Sequence, residues 1–429
     1  MRLLITGANG LIGSHVVAAL SAAGHDIVAT GRGIRRARTS RPDISWVHAD
    51  FTHMTAALWA PLLAGIDGVV NCAGALQDSP RDNLAAVHVD GLRHLCEACR
   101  IAGITRFVHI SAAGLAEART TAFNHTKLAA EAALRESPLD WIILRPGLVL
   151  APAAYGGSAL LRGLAGLPGI TPIVHGESLI QPVAIEDLTE AVRHALAPEV
   201  PKRVTIDLMH DQPIPLAALV PRLRRWLGLT PAPIIHLPPA LIRSTARICD
   251  GLAYLGWRSP MRTTTLEQLR QGITGNSADA ARLGLTLRSL DQMLNLWVPG
   301  VQERWFARLY FVKPANLIVL SLFWLISGII GLLREPQAAA LLTQAGMGQS
   351  LADLQVVGGS LADIALGFAV AWRRAAPAAL IGMVAVSAAY MLGGVICRPD
   401  LWLDPLGPFV KTIPAAMLAL ATLAIMDER

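Results

Sequence analysis

The chain has 429 residues, of which 16% are charged, with a formal net charge of +6 and a mean hydropathy of +0.46. This length exceeds one ordinary domain, and this apolar content excludes a protein that is soluble throughout. Five cysteines are too few and too scattered for a disulfide framework. No nucleic-acid motif accompanies the positive charge, so we expect a membrane surface rather than nucleic acid as the basic protein's partner.

Short apolar runs alternate with helical stretches in the first part of the chain. Most of the runs are separated by 11 or more residues with helical periodicity. Strands are predicted at residues 2–6, 26–30, 44–49, 67–74, 106–112 and 141–147. The alternation predicts an α/β Rossmann-type domain with a doubly wound parallel sheet over residues 1–150.

The remainder divides into three segments by composition. Residues 151–300 are richer in proline and less regular, and we expect them to form a small substrate lobe. Residues 301–314 are expected to be a juxtamembrane linker. Residues 315–429 are mostly apolar and predict an all-α four-helix transmembrane bundle.

Four apolar runs carry this prediction. Residues 315–333 and 375–397 contain no charge, residues 354–372 contain Asp363, and residues 406–426 contain Lys411 near their start. Each run can cross about 30 Å of hydrocarbon as a helix. A carboxylate in a span is costly, so Asp363 should face the bundle interior or a cavity. Proton or quinone-headgroup contact and a hydrogen bond between helices are both open roles for it.

Positive charge around these runs predicts their orientation. Arg304, Arg308 and Lys313 precede the first run, and the Arg373–Arg374 pair joins the second and third. Because loops on the cytosolic side are richer in Arg and Lys, the first domain and the C-terminus should be cytoplasmic. We therefore expect a multi-pass protein of a bacterial inner membrane.

Three glycines follow the first predicted strand at the mouth of a helix. Gly7 permits a tight turn, Gly10 lets a pyrophosphate approach the backbone, and Gly13 lets helix and strand pack closely. Phosphates are favoured at the positive end of such a helix. The residues expected to hold a dinucleotide here are Thr6, Gly7, Asn9, Gly10, Leu11, Ile12 and Gly13.

The end of the second strand predicts which dinucleotide is bound. An NAD enzyme usually places an acid there for the ribose 2′-hydroxyl, but this chain has Gly31. Five arginines follow, at positions 32, 35, 36, 38 and 41. A guanidinium matches the geometry of a phosphate, so we expect NADP(H) in preference to NAD(H), with Arg32 on the 2′-phosphate. A basic loop in solvent, or one lying against anionic lipid, is the alternative.

These motifs resemble those of the extended and atypical short-chain dehydrogenase/reductase (SDR) superfamily, over about 300 residues. The glycines match its TGxxGxxG signature, and the segments HADF, NCAG, LRPGLV and QPVAIEDL match later motifs in register. The resemblance implies a second set of cofactor-binding residues. They are Asp50, Phe51, Asn71, Cys72, Ala73, Gly74, Lys127 and Pro146.

The resemblance also implies a catalytic tyrosine four residues before a lysine. Lys127 is present, but Phe123 stands where the tyrosine is expected, and a benzyl ring cannot transfer a proton. Lys127 is therefore implied mainly in binding the nicotinamide ribose. Ser111 aligns with the first of the family's two serines, and Tyr155 lies where its substrate loop begins, so both are catalytic candidates. His125 should point away, because two helical residues span about 200°.

The CxxC spacing of Cys96 and Cys99 lies inside an amphipathic helical stretch. No second CxxC completes a zinc site, so we expect two buried core thiols and no metal.

The last hundred residues resemble the DoxX-like four-helix membrane domain. Together, the resemblances imply a membrane-anchored NADP(H)-binding oxidoreductase of atypical SDR type, acting on a lipid-like or quinone-like carbonyl substrate. One alternative is a non-catalytic NADPH-binding structural or redox-sensing module, which resembles the nucleotide-binding accessory subunit of respiratory complex I. A sugar-nucleotide epimerase or dehydratase is another. An oligomer or a respiratory-complex partner stays open.

Overall fold

The computed structural model describes residues 1–79, 82–116, 120–257, 259–405, 407 and 409–427. The chain forms two compact units. The first contains Met1–Asp250 and Ser259–Ala307, and the second contains Gly251–Arg258 and Arg308–Arg429.

A seven-stranded sheet forms the centre of the first unit within the described residues. Its strands are β1 (Arg2–Thr6), β2 (Asp26–Gly31), β3 (Ser45–His48), β4 (Gly68–Asn71), β5 (Arg106–Ile110), β6 (Asp140–Pro146) and β11 (Val204–Leu208). All neighbouring strands pair in parallel, in the order β3-β2-β1-β4-β5-β6-β11. The six predicted strands and the doubly wound parallel sheet are therefore confirmed.

Helices cover both faces of this sheet. They are α1 (Leu11–Ala22), α2 (Arg35–Ser40), α3 (Ala56–Trp59), α4 (Gly91–Ala102), α5 (Ala122–Arg135) and α7 (Ile185–Ala195). Short 3-10 and π segments occupy Ala60–Leu62 and Ala86–Asp90. Alternate residues of β1 enter two different cores: Leu3 and Ile5 pack with Leu20 of α1, whereas Leu4 packs with Leu95 of α4. This period of two is typical of a strand that is buried on both faces.

The region predicted as a substrate lobe contains small paired strands and short helices. The strands are β7 (Leu148–Leu150), β8 (Thr171–Ile173), β9 (Leu179–Ile180), β10 (Pro182–Ala184), β12 (Ile214–Pro215) and β13 (Ile234–His236). The helices are α6 (Gly156–Gly166), α8 (Leu216–Trp226), α9 (Pro239–Tyr254), α10 (Thr263–Arg270), a 3-10 segment (Ser277–Leu283) and α11 (Leu290–Leu296). β11 lies within the segment that was predicted to form a separate substrate lobe, but it joins the main sheet instead. As an edge strand it is only half-buried, which weakens its sequence pattern.

A buried carboxylate ties α5 to β6 and to the residue that follows β5. Glu131 has no solvent exposure and accepts hydrogen bonds from Arg145 (2.5 Å), Arg135 (2.7 Å) and the Ser111 hydroxyl (2.6 Å). Burial acts to raise the pKa of Glu131, but the hydrogen bonds from Arg145 and Ser111 outweigh it and lower the pKa. The carboxylate is therefore ionised and fully paired.

The second unit consists mainly of helices. They are α12 (Val301–Leu333), α13 (Glu335–Gln344), α14 (Gln349–Ala371), α15 (Ala376–Cys397), a 3-10 segment (Pro399–Trp402) and α16 (Thr412–Ala424). Three of the predicted spans are confirmed as helices that are long and apolar enough to cross a membrane: α12, α14 and α15. The predicted linker at residues 301–314 is helical and continuous with the first of them.

The fourth predicted span is shorter than expected. α16 has 13 residues, which gives about 20 Å of helix instead of the 30 Å of a hydrocarbon core. The turn before it contains Gly407, at φ +55°, and the helix starts so that Pro414 lies in its first turn. Proline is tolerated there because the first amides need no acceptor within the helix.

Asp363 lies inside the helical unit, as expected from its cost in a span. Its side chain accepts hydrogen bonds from Ser327 (3.1 Å) and Tyr390 (2.9 Å), and the residue is 5% exposed. These contacts link α14 to α12 and α15, so a hydrogen-bonding role between helices is present.

Removal of the Glu131 charge tests the tie between α5 and the sheet. We expect Glu131→Gln to lower the free energy of unfolding by about 3 kcal/mol, because it leaves Arg145 without its buried partner. This change corresponds to a Tm lower by about 6 °C for a domain of this size. Thermal unfolding of the full chain in detergent measures it. Glu97→Gln, which breaks an exposed pair with Arg100, is the matched control; equal shifts for both variants would contradict the account.

Candidate dinucleotide-binding site

The glycine turn lies where the strand order of the sheet reverses. β1 pairs with β2 on one side and β4 on the other, and Thr6 is in register with Asn71. In open α/β sheets this switch point is the place where ligands bind, outside the carboxyl ends of the strands. The two turns that follow β1 and β4 therefore form the two sides of one crevice.

The first turn leaves the end of α1 open to an anion. Gly7 adopts φ +61°, and its carbonyl accepts a hydrogen bond of 2.8 Å from the Gly10 amide. α1 begins at Leu11 after a glycine N-cap that supplies no side-chain hydrogen bond. The amides of the first helical turn have no acceptors within the helix, so they can bind phosphate oxygens.

Close backbone contacts explain why glycine occupies this turn. A Cβ at Gly13 would lie 2.2 Å from the Gly7 carbonyl oxygen, and a Cβ at Gly7 would lie 2.7 Å from the backbone of Cys72 and Ala73. Side chains at either position would push α1 away from the strands or close the crevice. The residues present therefore fit a dinucleotide whose pyrophosphate lies against the helix end.

Two of the predicted cofactor residues hold the crevice together. The Thr6 hydroxyl donates to Asn71 Oδ1 at 2.6 Å, and the same oxygen accepts from the Ala73 amide at 3.1 Å. The Asn71 amide group lies 3.0 Å from Nδ1 of the buried His109. The side chains of Thr6 and Asn71 are thus occupied within the protein, and they position the two turns.

Two further residues that were predicted to bind the cofactor, Asp50 and Phe51, follow β3. The Asp50 carboxylate accepts hydrogen bonds from the Thr52 amide (3.1 Å) and hydroxyl (2.8 Å), which form a tight turn. Phe51 is buried and packs edge-on against Trp59, with ring centroids 5.4 Å apart. Asp50 is thus fixed at the end of its strand, and Phe51 belongs to the core beneath it.

A basic cavity of about 600 Å³ lies beyond β2. It is lined by Arg32, Gly33, Ile34, Arg35, Arg38, Thr39 and His48. The Arg32 guanidinium lies 2.5 Å from the Asp82 carboxylate, a pair that the sequence does not reveal because 50 residues separate the partners. Asp82 offsets one positive charge of the cavity, while Arg35 and Arg38 contribute two more.

Asn9 occupies the space next to the position where an NAD enzyme would place an acid. A Cβ at Gly31 would lie only 2.3 Å from Asn9 Oδ1. A side chain at position 31 would therefore displace the amide end of the Asn9 side chain.

Lys127 and Phe123 lie on one face of α5. Lys127 is 5% exposed and donates a hydrogen bond of 3.2 Å to the Ile110 carbonyl at the end of β5. Burial lowers the pKa of Lys127 to about 8, although the charge of Glu131 acts to raise it. His125 is exposed, as the 200° rotation predicts.

The second turn approaches this lysine. A Cβ at Gly74 would lie 3.5 Å from Lys127 Nζ and 3.6 Å from His88 Nε2. The preceding Cys72 has a pKa raised to about 12 by burial, so its thiol stays protonated. The predicted NCAG segment is therefore brought beside the predicted lysine.

His88 is a site residue that the sequence analysis missed. Its Nε2 accepts from the Ala75 amide at 3.1 Å, its Nδ1 lies 2.9 Å from the Thr126 hydroxyl, and its ring packs edge-on against Phe123 at 5.9 Å. Burial, followed by the charge of Lys127, lowers the pKa of His88 to about 2. The ring is neutral at physiological pH. A single histidine within an amphipathic helical stretch gave no specific signal, and the local π-helical turn was not predictable.

The other candidates are placed less centrally. The Ser111 hydroxyl donates to Glu131 and is part of the structural network already described. Tyr155 is 41% exposed and immediately precedes α6. Pro146 ends β6, and its carbonyl accepts from the Ala113 amide at 2.9 Å.

Cys96 and Cys99 are buried in the core of the first unit, which confirms their prediction as core thiols. Burial raises the pKa of Cys99 to about 12 and raises that of Cys96 as well. Among the described residues, no group of three or more His, Cys, Asp or Glu side chains could hold a metal ion.

Two family models match the chain. An NAD(P)H-binding family matches residues 7–163, and the DoxX-like family matches residues 321–420. A 3-diazoavenalumate denitrifying reductase from a Streptomyces species is 31% identical over 321 residues, which cover 66% of this chain and 95% of the relative. A ceramide reductase from Caulobacter vibrioides is 27% identical over 188 residues, 43% of this chain and 57% of the relative.

Solved structures share the fold at low identity. A UDP-glucose 4-epimerase from Thermotoga maritima, solved with UDP-glucose, superposes with a TM-score of 0.54 at 19% identity and covers 70% of this chain and 97% of its own. The Bordetella bronchiseptica enzyme WbmG in complex with NAD gives a TM-score of 0.53 at 18% identity, covering 69% and 92%. The chain therefore belongs to the NAD(P)-binding, SDR and epimerase-like oxidoreductases, and it carries a DoxX-like domain after the Rossmann-type domain.

Proposed function

We propose that this protein is an NADP(H)-dependent oxidoreductase, anchored in a bacterial inner membrane, that acts on a lipid-like or quinone-like carbonyl compound. The observation that carries the proposal is that the glycine-containing turns after β1 and β4 lie together beside a buried lysine. Gly7 and Gly74 follow adjacent strands at one edge of the sheet, and Lys127 Nζ lies against the second turn. These are the parts that hold a nicotinamide cofactor in this family.

Preference for NADP(H) is supported by charge at the end of β2. The cavity beyond that strand is lined by three arginines, and Gly31 stands where an NAD enzyme has an acid. A 2′-phosphate is matched by guanidinium groups, and the three arginines outnumber the Asp82 carboxylate that pairs with Arg32. Arg32 is the proposed main contact, with Arg35 and Arg38 adding positive potential.

The proton chemistry differs from that of the family pattern. A bound nicotinamide supplies or accepts hydride. Phe123 has no proton to transfer, and His88 is neutral with a pKa of about 2. Lys127, with a pKa of about 8, is protonated at pH 7 and can bind the ribose hydroxyls. The proton at the substrate oxygen is therefore proposed to come from water or from Tyr155, which lies before α6.

The substrate class is inferred from the helical unit and from the named relatives. Three helices are long and apolar enough to cross a membrane, and tethering raises the local concentration of ligands dissolved in the bilayer. One relative is a ceramide reductase by name, which denotes a lipid. Arginines in the N-terminal part of α12 and between α14 and α15 favour a cytoplasmic Rossmann-type unit, where NADPH is found.

A second candidate function is NADPH binding without turnover. It is favoured by Phe123 at the position of the catalytic tyrosine and by the neutral His88 beside it. The epimerase alternative has support from a UDP-glucose 4-epimerase of Mycolicibacterium smegmatis, 35% identical over 127 residues and covering 39% of that relative. The sequence resemblance implies a tyrosine for that chemistry as well, so Phe123 weakens it.

Replacement of Arg32 tests the cofactor preference. We expect Arg32→Ala to weaken NADPH binding by about 10- to 100-fold, because a charge-assisted contact is lost, and to change NADH binding by less than about threefold. Titration calorimetry on the full chain in detergent gives both constants. Arg100→Ala is the matched control, since Arg100 also pairs with a carboxylate but lies on α4. Equal losses for NADPH and NADH in Arg32→Ala would refute the assignment.

Replacement of Lys127 tests both turnover and the pH dependence of NADPH binding. We expect Lys127→Met to lower NADPH oxidation with a hydrophobic quinone by at least ~100-fold, whereas Lys202→Met, at an exposed pair with Asp140, should not. In the parent chain, NADPH affinity should fall as pH rises through about 8, because Lys127 then loses its positive charge. That slope should be absent in Lys127→Met. Saturable NADPH binding with no turnover of any quinone or carbonyl would favour the second candidate function.

A further inference from the structure

Asp363 lies near the middle of α14, one of the three helices that are long and apolar enough to cross a membrane. The residue is 5% exposed. Its two carboxyl oxygens contact two hydroxyl groups, that of Ser327 on α12 at 3.1 Å and that of Tyr390 on α15 at 2.9 Å. The carboxyl group therefore lies where three helices of the second unit meet.

The two helices α12 and α14 approach each other closely beside this carboxyl group. A Cβ at Gly328 of α12 would lie 2.4 Å from the Ser360 carbonyl oxygen of α14 and 3.0 Å from the Asp363 Cβ. Ser360, one helical turn before Asp363, is also buried. At this level of the unit the helices pack backbone to backbone, and Asp363 is held in surroundings where an ionic charge is costly.

The described residues bring no positive charge to Asp363, since its side-chain contacts are the two hydroxyls and no ion pair. α14, α15 and α16 contain no Lys, Arg or His, and the titratable group that faces Asp363 from a neighbouring helix is the Tyr390 phenol. Along the chain, the nearest charged residues are at least seven positions, or about 10 Å of helix, from the three contacting residues. They are Lys313, Arg334, Glu335, Asp353, Arg373, Arg374 and Arg398. An ionised Asp363 would therefore be an uncompensated charge.

Two hydroxyl partners suit a carboxyl group that gains and loses a proton. A hydroxyl can donate a hydrogen bond and can also accept one. Ser327 and Tyr390 can both donate to the ionised carboxylate, and either can accept from the acid when the proton is present. Lys or Arg could only donate, so either of them would hold the ionised form. The hydroxyl pair therefore satisfies both states, and the apolar surroundings favour the protonated one.

The same hydroxyls connect the buried carboxyl group with the outside of the helical unit. Ser327 is exposed and Tyr390 is 36% exposed, although both reach Asp363. A Cβ at Gly359 would lie 2.8 Å from the Tyr390 hydroxyl oxygen, so the absence of a side chain there makes room for the phenol against α14. A proton can therefore pass to and from Asp363 through a hydroxyl without separation of the helices.

We propose that Asp363, Ser327 and Tyr390 form a proton-binding site of the helical unit, in which Asp363 carries a proton at neutral pH and exchanges it through the two hydroxyls. In the exchange, the Asp363 O–H bond breaks and its electron pair stays on the carboxylate. The hydroxyl oxygen takes that proton, and its own proton passes to water, which returns another by the same route. The site lies wholly within the second unit and does not rest on the proposed function.

Infrared spectroscopy of the full chain in nanodiscs tests the protonation. The carbonyl stretch of a protonated carboxyl group is separate from the bands of a carboxylate. We expect this band at pH 7 in the parent chain and its loss in Asp363→Asn. Asp400→Asn is the matched control and should keep the band, because Asp400 is exposed and pairs with Arg398 at 2.6 Å. Asp363→Glu retains an acid and should also keep a band, which separates loss of the proton from misfolding.

Transfer of the nanodiscs into D2O tests the exchange, because deuteration of the acid moves its band to lower frequency. We expect the band to shift severalfold more slowly in the double variant Ser327→Ala/Tyr390→Phe than in the parent chain. Identical spectra of the parent chain and Asp363→Asn in the region of protonated carboxyl groups would show that Asp363 is ionised and would overturn the proposal. Equal exchange rates in the parent chain and the double variant would refute the role of the hydroxyls.

Discussion

The backbone contact between two turns at the centre of the sheet determines the geometry of the whole site. The Gly7 backbone touches Cys72 and Ala73 so closely that no Cβ fits, and the buried pair of Thr6 and Asn71 holds that contact. This crossing leaves the end of α1 facing the crevice and brings the second turn to Lys127. The glycine turn after β1 and the turn beside Lys127 are therefore held together by one close contact, which only glycine satisfies.

Much of this arrangement was predictable, because it follows from local rules. Strands buried on both faces are continuous apolar runs, and glycines that permit a turn and a close approach have a fixed spacing. The failures arise where distant residues decide the structure. β11 is an edge strand with a weak pattern, Arg32 meets Asp82 from 50 residues away, and His88 lies in a π-helical turn. α16 is shorter than predicted because a turn with Gly407 precedes it, and a search for runs of apolar residues does not detect that turn.

Among the described residues, the site combines a conventional means of holding a cofactor with acid–base groups that burial keeps uncharged. Burial keeps the Cys72 thiol protonated and the His88 ring neutral, and Phe123 contributes only its ring. Lys127 is the group near the crevice whose charge is poised to change close to neutral pH. A site of this kind suits hydride chemistry on a substrate that needs little help from a protein acid.

Hydrogen exchange of the full chain in detergent, with and without saturating NADPH, tests the central claim most directly. If the first turn holds the pyrophosphate against α1, amides in residues 6–14 should exchange more slowly with NADPH bound, while those of Leu290–Leu296 stay unchanged. Unchanged exchange over residues 6–14 at a NADPH concentration that saturates the protein would show that the dinucleotide binds elsewhere, and the account would fail.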